Sequence, residues 1–173
     1  TQLTYTVNAD DTVEITDCEN DAAGDLEIPA EIDGKTVTSM GYYSFSYCAN
    51  LTSVIIPNGV ANIGDNAFGN CEKLENITIP SSVTNIGDRS FAGCENLTSV
   101  IIPNSVENIG YSAFDGCTSL AEITIPSSVT SIGGNAFLDT PWLAARQEEN
   151  PLVIVNGILL DGTTCTDEEI VIP

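Results

Sequence analysis

The sequence contains no histidine, which removes Ser-His-Asp and Cys-His activation of a nucleophile and every histidine-ligated metal site. It has only four cationic side chains, Lys35, Lys73, Arg89 and Arg146, against 25 Asp and Glu, for a formal net charge of -21. Nucleic acid is excluded as a partner, because binding it requires many Lys and Arg to displace condensed counterions from phosphates. An anionic membrane surface is disfavoured for the same reason. No run approaches the roughly 18 to 20 apolar residues of a membrane-spanning helix, and the longest apolar stretches are residues 152–155 and 158–160. Cys-x-x-Cys, G-x-G-x-x-G and G-x-x-x-x-G-K-[ST] are all missing, so no motif for a redox pair, dinucleotide or phosphate is present and no cofactor is implied. The chain also begins without Met and without a basic-then-apolar leader, as a mature or recombinant fragment does.

What the sequence has is apolar side chain and period. Hydrophobic residues make up 42% and charged residues 17%, enough to build a continuous core. Phe45, Phe68, Phe91, Phe114 and Phe137 recur at one spacing of 23 residues. Cys48, Cys71, Cys94 and Cys117 keep the same spacing, as do Pro57, Pro80, Pro103 and Pro126. The unit reads L-x-x-V/I-x-I-P-x-x-V-x-x-I-G-x-x-A/S-F-x-x-C, seen in full over residues 74–94. The β-branched residues of 51–56 and its copies, stopped by Pro, predict a short strand. Residues 60–64 predict a second extended piece, with Gly64 permitting the turn that follows. Ala67, Phe68 and Cys71 predict one apolar face of a short helix. One such unit cannot bury its own Leu, Val, Ile and Phe, so coils must stack and share a core. The expected fold is an elongated α/β solenoid: a curved parallel sheet on one side, with strands about 4.8 Å apart, and short helical turns on the other.

This unit resembles the BspA-type, or treponemal-type, leucine-rich repeat, without a break over residues 28–137. The resemblance implies secreted or surface-attached proteins of host-associated or gut anaerobes, implicated in adhesion. Longer memory is visible too: residues 51–57 recur identically at 97–103, and 77–83 at 123–129, as if two-repeat blocks were duplicated. Ile55 and Ile101 therefore alternate with Thr78 and Thr124 in one row.

Three domains are predicted. Residues 1–26 read as strand, turn and strand, a β-hairpin cap of the kind that accompanies these repeats. Residues 27–138 hold the 23-residue repeats, the first irregular because Pro29 stands 28 residues before Pro57, which predicts a loop inserted at 31–35. Residues 139–173 form a variant repeat. There Thr140 and Pro141 open a helix, Asn156-Gly157 marks a hairpin, and residues 170–173 begin a further repeat that is cut off, implying a longer multi-repeat chain.

The six cysteines invite a disulfide framework, but the four phased ones occupy equivalent apolar positions and read as reduced core thiols. Cys18 and Cys165 lie near opposite ends, beyond bridging distance. Asp10-Asp11, residues 19–25 and Asp167-Glu168-Glu169 are acidic enough to attract Ca²⁺, yet none fits the D-x-[DN]-x-[DN]-G loop, so no metal site is predicted. Asn62, Asn85, Asn108 and Ser131 form a polar row that reads as a hydrogen-bonding ladder.

With no catalytic constellation, the chain reads as a non-catalytic binding module. The predicted binding face is the outward side of the strands: Thr52, Ser53, Ile55, Glu75, Asn76, Thr78, Thr98, Ser99, Ile101, Glu122 and Thr124. An extracellular protein partner is the leading expectation. A glycan is the alternative, as in a secreted, dockerin-bearing cellulosomal protein, or a structural spacer role. A glycan site needs exposed aromatic platforms, and Tyr42, Tyr43, Tyr47, Tyr111 and Trp142 show no period.

Overall fold

The computed structural model describes residues 3–150 and 152–161. Strands β1 (Leu3–Val7) and β2 (Val13–Cys18) form an antiparallel hairpin. At its turn Thr12 donates to Asp10 Oδ1 through both its amide and its hydroxyl, at 3.2 and 2.7 Å. Beyond β3 (Ala23–Glu27) come β4 (Glu31–Ile32) and β5 (Lys35–Met40). β2 pairs in parallel with β5, so the N-terminal hairpin covers the first coil. The inserted segment is not an open loop: β4 folds back antiparallel on β5 around Asp33 and Gly34, which take φ of 52° and 73°.

The coils that follow share one plan. β6 (Asn50–Ile55), β7 (Asn62–Ile63), β8 (Asn76–Thr78), β9 (Asn85–Ile86), β10 (Ser99–Ile101), β11 (Asn108–Ile109), β12 (Glu122–Thr124) and β13 (Ser131–Ile132) alternate between two sides. On one side β3-β6-β8 and β10-β12 are parallel ladders; on the other the order is β1-β2-β5-β7-β9-β11-β13. In β6 Leu51 and Val54, with Ile56 after it, are buried while Thr52, Ser53 and Ile55 point outward. From Ser53 to Ile56 the sides alternate with the period of two of a strand, Thr52 before them lying outside that alternation, and Pro57 ends it.

The third side of each coil departs from the expected helix. Along residues 66–71, Ala67, Gly69 and Cys71 donate their amides three residues back, to Gly64, Asn66 and Phe68. Asn66, Phe68 and Asn70 donate instead to Asp88, Ser90 and Ala92 of the next coil, at 2.7–2.8 Å. Giving every second amide to a neighbouring coil is incompatible with the i→i−4 ladder of a helix. The segment is therefore a string of turns, with left-handed backbone at two fixed places per coil. Tyr43, Asn66, Arg89, Ser112 and Asn135 occupy the first, and Tyr47, Asn70, Gly93, Gly116 and Asp139 the second, with φ between 51° and 72°. Ala67, Phe68 and Cys71 are buried as their apolar character requires.

The phased glycines also have a different reason from the expected one. Gly64, Gly87, Gly110 and Gly133 lack left-handed φ; what they provide is close approach between coils. A Cβ on Gly64 would lie 2.7 Å from the Met40 carbonyl oxygen, and on Gly133 2.4 Å from the Tyr111 nitrogen. Gly41 begins the same row, 2.9 Å from Ile15 O.

The core is a single cluster running the length of the stack. Its axis is the phenylalanine column: successive rings from Phe45 to Phe137 stack with centroids 4.8, 5.4, 5.1 and 5.7 Å apart and planes within 10° of parallel. Trp142 closes it, 4.8 Å from Phe137, carried by helix α1 (Pro141–Glu149). Thr140 caps that helix by accepting from the Leu143 amide at 3.2 Å, and its hydroxyl donates to Phe137 O at 2.7 Å. Strands β14 (Val153–Val155) and β15 (Ile158–Asp161) then form an antiparallel hairpin. Its Asn156 and Gly157 have φ of 51° and 78°, the twist that suits a two-residue hairpin loop. Asn156 Nδ2 donates to Pro126 O at 2.8 Å and Val129 O at 3.0 Å, fixing the hairpin to the preceding coil. The predictions made for Cys165, Asp167-Glu168-Glu169 and residues 170–173 lie outside the described residues.

Candidate functional site

The sheet side formed by β3, β6, β8, β10 and β12 brings the predicted face residues into register. Asp25, Ser53 and Asn76 are paired across strands, as are Ser99 and Glu122. One step along, Glu27, Ile55 and Thr78 form a row that continues in the pair Ile101 and Thr124. Glu75, Asn76, Thr78, Thr98, Ser99, Ile101, Glu122 and Thr124 are exposed. Thr52 and Ser53 are half-buried, and the Thr52 hydroxyl donates to Asp25 Oδ1 at 3.0 Å. Against this polar ground two apolar side chains stand out: Ile101 is 75% exposed and Ile55 44%. Between β8 and β10 the ladder is interrupted, and a shallow groove opens there, bordered by Asn76, Thr78, Ser99, Ile101 and Pro103. Ile55 and Ile101 are both single apolar side chains on an otherwise small-residue sheet, two coils apart in the same row.

The second sheet carries the asparagine row. Asn62, Asn85, Asn108 and Ser131 are consecutive cross-strand partners, and Asn85 Nδ2 donates to Asn62 Oδ1 at 2.7 Å. A parallel row is built by aspartates: the Asp88 amide donates to Asp65 Oδ1 at 2.9 Å, and the Tyr111 amide to Asp88 Oδ1 at 2.8 Å. Both rows satisfy groups within the stack.

The acidic clusters do not assemble into a cation site. Among the described residues no three His, Cys, Asp or Glu side chains converge as metal ligands. Asp11 is ion-paired with Lys35. Asp10 is held below the usual carboxylate range by its hydrogen bonds to the Thr12 hydroxyl and amide.

The described cysteines are free thiols, all buried. Cys71, Cys94 and Cys117 each point their thiol at the phenylalanine carbonyl of the coil before, Phe45, Phe68 and Phe91, at 3.1, 3.2 and 3.1 Å. Cys18 heads the column although it breaks the spacing by seven residues: Cys48 Sγ lies 3.8 Å from Cys18 O and 3.7 Å from Glu19 O. Burial pushes the Cys71 thiol up to about 12. The Cys94 thiol is raised well above its ordinary value by a hydrogen bond with Cys117 and by burial. Such thiols are poor nucleophiles, since reactivity resides in the thiolate.

The aromatic residues are more ordered than their spacing suggests. Trp142 is buried under Phe137 on one side and the Arg146 guanidinium, 4.0 Å away, on the other, so it offers no platform. Tyr42 and Tyr111 hold equivalent places three coils apart. Tyr42, Tyr43 and Tyr47 crowd onto one turn of the first coil, with the Tyr42 and Tyr43 rings edge to face at 4.2 Å. Tyr42 is 66% exposed and Tyr47 61%. The Tyr42 phenol is held above its ordinary pKa first by its hydrogen bond with Tyr43, then by burial and by the Tyr43 and Asp65 charges.

A family model described as "BspA type Leucine rich repeat region" matches residues 30–146 in 6 copies. Among solved structures, the fold is similar to the T. pallidum Leucine Rich Repeat protein, at 32% identity and a TM-score of 0.76, over 79% of this chain and 64% of that one. A leucine-rich repeat protein from Bacteroides ovatus is 39% identical with a TM-score of 0.69, over 79% and 37%. A leucine rich cell surface protein from Faecalibacterium prausnitzii is 32% identical with a TM-score of 0.57, over 80% and 45%. The chain thus spans less than two thirds of the length of each of these relatives. No curated protein matches it.

Proposed function

Because the chain belongs to the BspA-type leucine-rich repeat family, we propose that it is a non-catalytic module that binds a protein partner at a bacterial surface through the sheet face bearing Ile55 and Ile101. The observation that supports this most directly is the pair of exposed isoleucines two coils apart, set among Thr78, Ser99 and Thr124. A rigid, regularly spaced surface of this kind loses little conformational freedom on binding. Small polar neighbours leave the backbone-spaced rows flat enough to meet an extended partner. A surface location is supported by the similarity to the Faecalibacterium prausnitzii cell surface protein.

The test is capture of secreted and surface proteins of host cells and neighbouring bacteria on the immobilised chain, beside the Ile55→Thr/Ile101→Thr double variant. That variant copies Thr78 and Thr124 of the sister coils, so the fold is retained. The expected result is a defined protein partner whose affinity falls at least tenfold in the variant. Capture unaltered by the double substitution, or saturable glycan binding with no protein partner, overturns this reading.

A further inference from the structure

We propose that Tyr42, Tyr43 and Tyr47 form a second docking site, one that takes an arginine- or lysine-bearing segment of a protein partner by cation–π contact beside a carboxylate. It names a partner chemistry within the protein-binding reading above, but at a different face of the solenoid.

Backbone cost is the first observation. Tyr43 and Tyr47 stand at the two left-handed positions of their coil, with φ of 58° and 63°. The other coils fill these places with Asn, Gly, Ser or Asp except at Arg89: Asn66 and Asn70, Gly93, Ser112 and Gly116, Asn135 and Asp139. Bulky residues are disfavoured there, and residues kept in a costly backbone region cluster at binding sites. Neither ring offsets that cost by packing into the core, since both are exposed.

The second observation concerns charge. Asp65 lies beside the patch: its carbonyl oxygen accepts from the Tyr43 amide at 3.1 Å and its charge acts on the Tyr42 phenol, while Glu14, held by Ser39 Oγ at 3.0 Å, lies beside Gly41, the residue before Tyr42. Exposed aromatic rings beside a carboxylate suit a cation, which the ring quadrupole and the anionic charge attract together.

Cation bookkeeping within the chain supplies the third. Lys35 is paired with Asp11 and Lys73 donates to Asn50 Oδ1 at 2.8 Å. Both arginines lie over aromatic rings, Arg89 over Tyr111 at 5.1 Å and Arg146 over Trp142 at 4.0 Å. Tyr111 is the three-coil equivalent of Tyr42, and its ring is already covered from within the chain. Among the described residues no lysine or arginine side chain lies over the Tyr42 cluster. With a net charge of -21, the whole molecule draws a basic segment towards its surface.

The experiment is a fluorescence-polarisation titration of the full chain with an eight-residue peptide of alternating arginine and serine carrying a neutral dye. The matched probe has citrulline for arginine, which keeps the planar shape and length but removes the charge, with a carbonyl oxygen in place of one guanidinium nitrogen. Three variants accompany the parent: Tyr43→Asn/Tyr47→Asn, which copies Asn66 and Asn70 and should melt no lower than the parent; Tyr42→Phe/Tyr43→Phe/Tyr47→Phe; and Ile55→Thr/Ile101→Thr. The arginine peptide should bind the parent and the phenylalanine variant within about threefold of each other. It should lose about tenfold on the asparagine variant, as should the citrulline peptide on the parent, a loss of about 1.4 kcal/mol, within the range for a partly desolvated cation–π contact. Undiminished binding of the arginine peptide by the isoleucine variant separates this site from the sheet face. The proposal is overturned if the arginine peptide does not bind the parent, if it binds the asparagine variant as tightly, if citrulline serves as well as arginine, or if removing the hydroxyls abolishes binding.

Discussion

The rings of Phe68 and Phe91 lie 5.4 Å apart with their planes 1° from parallel, although 23 residues of chain separate them. Neither ring has freedom to move without its neighbours, because Phe45 and Phe114 continue the stack on either side. Each coil therefore contributes stability mainly through its interfaces with the next, as in a one-dimensional array.

Phe91→Ala should accordingly lower unfolding stability by about 3–5 kcal/mol, the range for an aromatic deleted from a core that cannot collapse around the cavity. Phe137 lies towards the C-terminal end of the column, packed by Phe114 and by the Trp142 ring tilted at 53°, and its substitution should cost less. Urea denaturation of the two variants checks the order; equal losses would mean that the column does not act as a continuous stack.

Gly110→Ala should be disruptive out of proportion to its size. The added Cβ would sit 2.5 Å from the Asp88 nitrogen and 2.5 Å from the Gly87 carbonyl carbon, both backbone, so two coils must separate to admit it. The loss should reach or exceed about 1–3 kcal/mol, the usual cost of overpacking. Gly69→Ala is the control, since its nearest neighbour is 3.4 Å away and its φ is not left-handed. A thermal melt that ranks Gly69→Ala below Gly110→Ala would contradict the close-approach reading.

Ser90→Ala should stabilise the chain. Ser90 is fully buried in the position that Ala67, Ala113 and Ala136 hold in other coils, and its hydroxyl has no hydrogen-bond partner. Leaving a buried hydroxyl unsatisfied costs about 1–3 kcal/mol, so removing it should raise the melting temperature by several degrees. A drop on calorimetry would show that the hydroxyl is bound after all.

These cases also show how far the sequence carries. Phased Phe, Cys, Pro and Gly announce a stacked solenoid because each identity is dictated by its neighbour one coil away, and such constraints survive as spacing. The turn side departs from the expected helix because Ala67, Phe68 and Cys71 make the same buried pattern in a helix as in a string of turns. What decides between them is the amide partner in the next coil, such as Ser90 for Phe68, and no single unit encodes it. The place of Cys18 at the head of the thiol column is not visible as spacing, because the hairpin of β4 and β5 lies between it and Cys48. The tyrosine patch was legible in part: Tyr42 is in phase with Tyr111, and Tyr43 and Tyr47 fall where other coils carry residues that tolerate left-handed backbone. Ile55 and Ile101 were visible outright, as apolar residues alternating with Thr78 and Thr124.

The buried thiols set an alkaline limit. The Cys71 thiol is raised from an ordinary 9.0 to about 12 in the folded chain. Its stabilising effect is therefore complete below pH 9 and is lost as pH rises through about 12, because the unfolded chain ionises first. At pH 10.5 the difference is about 2 kcal/mol for this one group. Urea midpoints of the parent at pH 8 and 10.5 should show the fall, and Cys71→Ala should lessen it by about that amount, the raised Cys94 thiol keeping its own share. If both proteins lose stability equally between those two pH values, the Cys71 thiol is not the source.

Asp88 tests whether the exposed carboxylate row is structural or merely charged. Its Oδ1 accepts from the Tyr111 amide at 2.8 Å, while its own amide donates to Asp65, so each carboxylate tethers the next coil at an exposed turn. In a chain with 25 acidic residues and four basic ones, the same carboxylates repel one another. Asp88→Asn keeps an acceptor oxygen and removes a charge; Asp88→Ala removes both. If the tether matters, Asp88→Ala should lose about 1 kcal/mol, while Asp88→Asn should match or exceed the parent at low salt and converge with it at high salt as repulsion is screened. If instead alanine and asparagine behave alike across the salt series, charge alone governs the row and the hydrogen bond to Tyr111 contributes nothing.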